Sequence, residues 1–92
     1  MEIEFRPSAF RHRISQARAR YVIEHCPMPL YEPPVSERAD LVLFLGLDPN
    51  GVPLEVVAVE LTDRGLLAIH AMKMRTRYRE ALEMVMGWPR KS

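Results

Sequence analysis

The sequence predicts an α+β domain: an N-terminal helix or helix pair packed on a three- to four-stranded antiparallel meander sheet, followed by a C-terminal helix. Three observations lead to this prediction. The middle of the chain holds three runs rich in Val, Leu and Ile, at residues 39–47, 52–61 and 66–72. Short turn sequences ending in glycine separate these runs. Apolar residues at helical spacing occur before and after them.

The N-terminal part of the chain predicts a short strand and one or two helices. Residues 2–5 form the candidate strand, and Pro7 suits the first turn of a short helix at about residues 8–12. Ser15 is the candidate N-cap of a second helix over residues 16–25. One continuous helix across both segments is the alternative, because their apolar residues also fit a single helical stripe.

The two turns of the meander predict its strand register. Each turn sequence has the residue preferences of a type I turn, with a glycine suited to a left-handed bulge position. Three-residue loops then pair Asp48 with Val52, and Thr62 with Leu66.

This register predicts one apolar sheet face and one mixed face. We expect the helices to cover the apolar face, which consists of Leu41, Leu43, Leu45, Val57, Val59, Leu61, Leu67, Ile69 and Ala71. On the mixed face Asp40, Glu60 and His70 lie among apolar residues, and we expect such a face to dock a partner. At the edge of the sheet the register pairs Lys73 with Glu55, which have opposite charges.

After the third strand the apolar period becomes that of a helix. Its neighbouring apolar positions are Tyr78, Ala81, Leu82 and Val85. Gly87 ends the helix, and Pro89 prevents its resumption.

Length and composition limit the class of protein. The 92 residues allow one domain, 1–92, and an apolar fraction of 48% with 27% charged residues is typical of globular proteins. No apolar run approaches the ~20 residues of a membrane span, and the polar N-terminus is not a signal peptide. The single Cys26 suits a reducing compartment. We therefore expect a cytoplasmic protein without membrane association.

The basic residues are clustered, although the net charge is only +1. Five arginines and no acid occur from Arg6 to Arg20, and four cations and no acid from Lys73 to Arg79. The second cluster lies where a strand is followed by a helix, and helix starts favour anions. Cations there cost the helix about 0.3 kcal/mol or more each. We interpret the cluster as a phosphate site; a solvated helix face is the alternative.

RNA cleavage without a metal requires a base, an acid and cations that stabilise a charged phosphorane. His70 is the candidate base or acid, because imidazole titrates near neutral pH. Lys73, Arg75 and Arg77 are candidate phosphate ligands, and Tyr78 is a candidate proton donor or stacking group. The structural alternatives are a histidine satisfied between strands, with His70 paired diagonally across the sheet with Glu60, and a tyrosine in the core.

Further basic residues are candidate RNA contacts: Arg11, His12, Arg13 and Arg79. For His12, a turn histidine bonded to the backbone is the alternative. His25 and Cys26 lack a second pair of ligands, so we predict no metal site. The sequence has no Gly-rich phosphate loop or nucleophile elbow, and we predict no cofactor.

Three strings of the sequence carry a family resemblance. They are Phe5 to Ser15 with its basic histidine turn, residues 54–65 in the central hairpin, and residues 68–73 at the last strand and basic helix entry. These strings resemble the BrnT-like toxins of bacterial type II toxin–antitoxin systems, which share the fold of the RelE-type ribonucleases.

The resemblance implies a toxin that cuts RNA and a cognate antitoxin that binds the toxin and DNA. Lys73 and the arginines after it correspond to the family's basic active region. The family usually has an arginine at the position of Met72, so Arg75 or Arg77 must supply that charge here. His70 stands where the family more often has a small polar residue.

We therefore predict a metal-independent endoribonuclease toxin, in a homo- or hetero-oligomer. Two alternatives remain open, which are a non-catalytic nucleic-acid-binding module and a protein-interaction module.

Overall fold

The computed structural model describes residues 2–26, 29–31, 41–61, 65–76 and 78–80. In chain order its elements are β1 (Ile3–Phe5), a 3₁₀ helix (Pro7–Phe10), α1 (Gln16–His25), β2 (Leu30–Tyr31), β3 (Leu41–Leu47), β4 (Pro53–Glu60) and β5 (Leu66–Lys73). The α+β class is confirmed.

The strands form one five-stranded sheet in the order β1-β5-β4-β3-β2. The antiparallel meander of β3, β4 and β5 is confirmed. The prediction of a purely antiparallel sheet is wrong, because β1 pairs in parallel with β5. The helices and most of the meander lie between these two strands, and this long crossover lets β1 run in the same direction as β5.

The N-terminal segment contains two helices rather than one. Pro7 occupies the first turn of the 3₁₀ helix, and the side chain of Ser15 caps α1 by accepting a hydrogen bond from Arg18 N at 3.2 Å. Both helices that have defined bounds precede the meander, so the helix order differs from the prediction, which also has a helix after the meander. Of the predicted C-terminal helix, residues 78–80 are helical and positions 81–87 lie outside the described residues. Among the residues described, no helix is long and apolar enough to cross a lipid bilayer.

The turn between β3 and β4 follows its prediction. Asp48 N donates to Val52 O at 2.9 Å, and Gly51 adopts the left-handed conformation with φ 79°. The buried Asp48 carboxylate stabilises this turn, because its Oδ1 accepts from the N–H groups of Asn50 and Val52 at 2.9 and 2.8 Å. Its Oδ2 accepts from Arg18 Nε at 2.7 Å, which connects the turn to α1.

The predicted register between β4 and β5 is wrong. Leu66 pairs with Glu60 rather than with Thr62. The register also shifts within the ladder, because Ala58 pairs with Ala68 whereas Val57 pairs with His70.

Ile69 is therefore an extra residue, a β-bulge on β5. Residues of β5 beyond the bulge point to the opposite face from the one a regular strand gives them. Glu55 pairs with Met72 rather than with Lys73, which corrects the predicted charge pair.

The helix α1 covers the face that the sequence predicts to be mixed. The main core cluster consists of Ile3, Ile14, Ala19, Val22, Ile23, Val42, Phe44, Leu54, Val56, Ala58, Leu66, Ala68 and Ala71. Of the three polar residues expected on this face, Asp40 lies outside the described residues, and the other two do not interrupt the cluster. Glu60 lies exposed at the end of β4, and the bulge turns His70 to the other face. The fully buried Ala58, Ala68 and Ala71 leave room for a helix to approach the sheet.

The opposite sheet face carries a second, smaller cluster. Its buried members are Leu43, Leu45 and Met74, and the partly buried Leu30, Leu47, Val57 and Tyr78 pack against them. Met74 and Tyr78 follow β5, so the chain after the last strand covers part of this face. The residues expected to form the main core under the helices thus belong partly to this second cluster.

Candidate functional site

Two histidines from distant parts of the chain meet on the sheet face opposite α1. The rings of His12 and His70 are 5.2 Å apart between centroids and meet edge to face, with an interplanar angle of 76°. The sequence predicts a catalytic role for His70 and an RNA contact for His12. The structure brings these two groups together.

The 3₁₀ helix brings His12 to this place by continuing along β5 where β1 ends. Arg6 N donates to Ala68 O at 2.9 Å, and Ser8 Oγ donates to Ile69 O at 2.9 Å. The turn after this helix then carries His12 towards the face opposite α1.

The β-bulge brings His70 to the same face. His70 pairs with Val57, a member of the second cluster, whereas Ala71 belongs to the main core under α1. The register on the other side of the bulge pairs Ala58 with Ala68. Without the extra residue Ile69, this register would continue, pair His70 with Val56 and direct His70 into the main core.

An ion pair between Glu55 and Arg75 lies next to the histidines. The Glu55 side chain is fully buried, and its two oxygens accept hydrogen bonds from Arg75 Nε at 2.9 Å and Nη2 at 3.0 Å. Glu55 Oε1 also accepts from Arg75 N at 3.0 Å. The guanidinium lies over the Tyr78 ring, 5.3 Å from its centroid. Arg75 is therefore held in place while about half of its side chain (47%) stays exposed.

Sequence reasoning missed the role of Glu55. The predicted register pairs Glu55 with Lys73 at the edge of the sheet, because it contains no bulge. The available signal was an acid in the interior of a largely apolar central strand, since a buried carboxylate requires a charged or hydrogen-bonding partner. The hydrogen bonds that Arg75 donates to Glu55 raise the pKa of Arg75 above its already high ordinary value, so Arg75 remains cationic.

The surroundings of His70 favour its neutral form. Partial burial lowers the pKa of His70, and the nearby His12, Arg75 and Arg11 lower it further, against an opposing effect of Glu55. A histidine with a lowered pKa is an unprotonated imidazole at neutral pH. This is the form that a general base requires.

Lys73 does not join this group. Lys73 is exposed and pairs with Leu54, whose side chain belongs to the main core, so Lys73 lies on the α1 side of the sheet. Arg13 and Arg79 are exposed, and Arg77 lies outside the described residues. Tyr78 packs against the second cluster, which agrees with the structural alternative for this residue.

The alternative in which His70 pairs with Glu60 across the sheet is wrong, because Glu60 lies opposite Leu66 and His70 lies opposite Val57. In the described part of the chain, no group of three or more His, Cys, Asp or Glu residues is arranged to hold a metal ion. The site consequently consists of two imidazoles, the charge of Arg11 and the fixed guanidinium of Arg75.

The chain matches no protein family, no curated protein and no solved structure. The resemblance to BrnT-like toxins therefore rests on the three sequence strings alone and stays a prediction.

Proposed function

We propose that this protein is the toxin of a bacterial type II toxin–antitoxin system and acts in the cytoplasm as a metal-independent endoribonuclease. The observation that supports this proposal is the contact between His12 and His70, whose ring centroids are 5.2 Å apart. Two imidazoles at one place provide a base and an acid, and proton transfer by each typically accelerates a reaction by about 10²–10⁴-fold. Arg11 and Arg75 add positive charge beside them.

The two histidines have different roles in the proposed reaction. Neutral His70 takes the proton of a ribose 2′-hydroxyl, and the 2′-oxygen attacks the adjacent phosphorus. The bond between phosphorus and the 5′-oxygen breaks, and protonated His12 gives its proton to that oxygen. The products are a 2′,3′-cyclic phosphate and a 5′-hydroxyl end. The lowered pKa of His70 supports its assignment as the base.

Arg75 is the residue that stabilises the charged phosphorane. Its pairing with Glu55 uses Nε and Nη2, which leaves Nη1 on the side of the guanidinium away from Glu55. A fixed donor stabilises a transition state better than a mobile one, because it does not have to reorganise during the reaction. Arg75 thus supplies the charge that the resemblance requires near Met72. Lys73, on the other side of the sheet, has no part in this step.

Cleavage of a defined single-stranded RNA by purified protein without added metal tests the proposal. We expect the wild type to leave cyclic phosphate ends, and His70→Ala and His12→Ala each to lower the rate by about 10²-fold or more. His25→Ala is the matched control, because His25 lies on α1 and its Nδ1 lies 2.9 Å from Tyr21 O. Intact RNA with the wild type, or unchanged rates in both site variants, would contradict the proposal.

The proposed partner is a cognate antitoxin that binds both the toxin and DNA in a hetero-oligomer. Expression of the toxin alone is expected to arrest growth, and co-expression of the product of a small neighbouring reading frame to restore it. Normal growth and intact cellular RNA on expression of the wild-type protein alone would count against a toxin.

A non-catalytic nucleic-acid-binding module is the second candidate. It is favoured by one observation, which is that Arg11, Arg13, Lys73 and Arg79 are all exposed and can contact phosphate groups without taking part in cleavage. This candidate predicts RNA binding that weakens steeply as salt concentration rises, without cleavage. Affinity measurements at two salt concentrations, made together with the cleavage assay, distinguish the two functions.

A further inference from the structure

The 3₁₀ helix and β5 are joined by one side-chain hydrogen bond between residues 61 positions apart. Ser8 Oγ donates to Ile69 O at 2.9 Å, and Ile69 is the extra residue of the β-bulge. In a regular strand, successive carbonyl groups point to opposite edges. Here Ala68 O accepts from Arg6 N and the next carbonyl, Ile69 O, accepts from Ser8 on the same edge. The hydroxyl of Ser8 therefore stabilises the bulged backbone.

The bulge decides on which face His70 lies. With it, His70 pairs with Val57 on the face opposite α1; the unshifted register would direct His70 towards α1. A hydrogen bond that stabilises the bulge therefore also stabilises the position of His70.

The same hydrogen bond holds the segment that carries His12. The turn after the 3₁₀ helix is tight, because Arg11 N donates to Ser8 O at 3.3 Å and Arg13 N donates to Phe10 O at 3.1 Å. Arg13 has φ 62°, which is uncommon for a residue other than glycine and persists where the surroundings hold it. Fixing Ser8 on β5 fixes the start of this turn, and His12 lies within it.

We propose that Ser8 is a positioning residue, which aligns His12 with His70 by holding the 3₁₀ helix on the bulged carbonyl of Ile69. One side chain thereby sets the place of both imidazoles. The catalytic consequence rests on the proposed ribonuclease function, whereas the alignment is a property of the free protein.

NMR titration of the histidine rings in RNA-free protein tests the alignment. The described groups that act on His70 are His12, Arg11, Arg75 and Glu55. In Ser8→Ala, we expect ring-to-ring contacts between His12 and His70 to be lost. We also expect the pKa of His70 to rise towards its ordinary value, because His12 and Arg11 move away. The ring of His25, which lies on α1 and stacks on Tyr21, serves as an internal reference.

Matched variants separate alignment from general loss of structure. Ser15→Ala removes the N-cap hydrogen bond of α1 and should leave the titration of His70 unchanged. Ser8→Thr keeps a hydroxyl donor and should keep the wild-type behaviour. If Ser8→Ala does not fold by circular dichroism, Ser8→Cys provides a weaker donor of similar size, and the same upward shift is expected.

In the cleavage assay, we expect Ser8→Ala to lower kcat by about 10- to 100-fold with little change in KM, because the reacting groups are misplaced rather than removed. A folded Ser8→Ala protein with unchanged ring contacts and an unchanged His70 titration would overturn the inference, even if the wild type cuts RNA. Loss of the ring contacts in Ser8→Ala, together with a wild-type protein that cuts no RNA, would support the alignment and refute the ribonuclease instead.

Discussion

The buried carboxylate of Asp48 allows a stability prediction that does not depend on function. Asp48→Ala removes three hydrogen bonds, two to backbone N–H groups of the turn and one to Arg18. Asp48→Asn keeps an oxygen for the two backbone donors but places an amide nitrogen opposite Arg18 Nε. The two variants therefore separate the turn from its ion pair with α1.

The expected losses follow from the hydrogen bonds removed. At about 1 kcal/mol for each hydrogen bond, Asp48→Ala lowers the free energy of unfolding by about 3 kcal/mol and Asp48→Asn by about 1 kcal/mol. For a domain of this size, 1 kcal/mol corresponds to a change in Tm of about 4–8 °C. Arg18→Ala removes the same ion pair by removing the other partner. Combining Arg18→Ala with Asp48→Asn should therefore lower the free energy of unfolding little further. Thermal and urea unfolding give these values.

The pH dependence gives an independent check. Burial alone raises the pKa of Asp48, but hydrogen bonds from Val52, Arg18 and Asn50 outweigh it and hold the pKa below its ordinary value near 3.8. A carboxylate with a depressed pKa stabilises the fold above its unfolded pKa, and this stability is lost as pH falls through the folded pKa. Asp48→Asn should therefore be less sensitive to pH below about 4. The reasoning is refuted if Asp48→Ala and Asp48→Asn unfold at the same temperature.

Three further predictions concern the site and the turn. If RNA is cleaved, Arg75→Ala should lower the rate by about 10²–10³-fold, whereas Lys73→Ala on the other sheet face should leave it nearly unchanged; equal losses would contradict the assignment. The acidic limb of the kcat/KM profile should lie below the ordinary range of histidine, and Arg11→Ala should move it to higher pH by raising the pKa of His70. Gly51→Ala should lower the free energy of unfolding by about 1 kcal/mol in urea, because φ is 79° while no atom lies near the added methyl group.

Features determined by neighbouring residues could be predicted from the sequence. The turn at Asp48–Gly51 and the N-cap at Ser15 each depend on residues within four positions, and both occur as predicted. The prediction left one or two N-terminal helices open, because the same apolar residues fit both. Positive φ at Arg13 ends the first helical segment, and the sequence of that turn gives no signal for it.

The sheet face that α1 covers could not be predicted, because it depends on a bulge stabilised from the other end of the chain. Ser8 and Ile69 lie 61 positions apart, and neither position has the glycine that often marks a bulge. A shift of one residue exchanges the two faces of a strand. The same error moved His70 to the wrong face and gave Glu55 the wrong partner.

The histidine pair shows the corresponding limit for the site. His70 and His12 were both candidates on chemical grounds, but their contact requires the parallel pairing of β1 with β5. This pairing places the 3₁₀ helix beside Ala68 and Ile69 of β5. No spacing in the sequence specifies it, because it results from the crossover of the whole meander.

Glu55 makes the site less positive than its sequence suggests and also better ordered. A free lysine or arginine increases the local concentration of phosphate, but it must be immobilised before it stabilises a transition state. Arg75, bonded to Glu55 through three N–H groups and lying over Tyr78, is immobilised before any substrate arrives. Its compensated charge favours weak binding of the ground state. In such a site, Arg75→Ala should therefore lower kcat more than it raises KM. In a simple binding module, the same substitution would lower only the affinity for RNA.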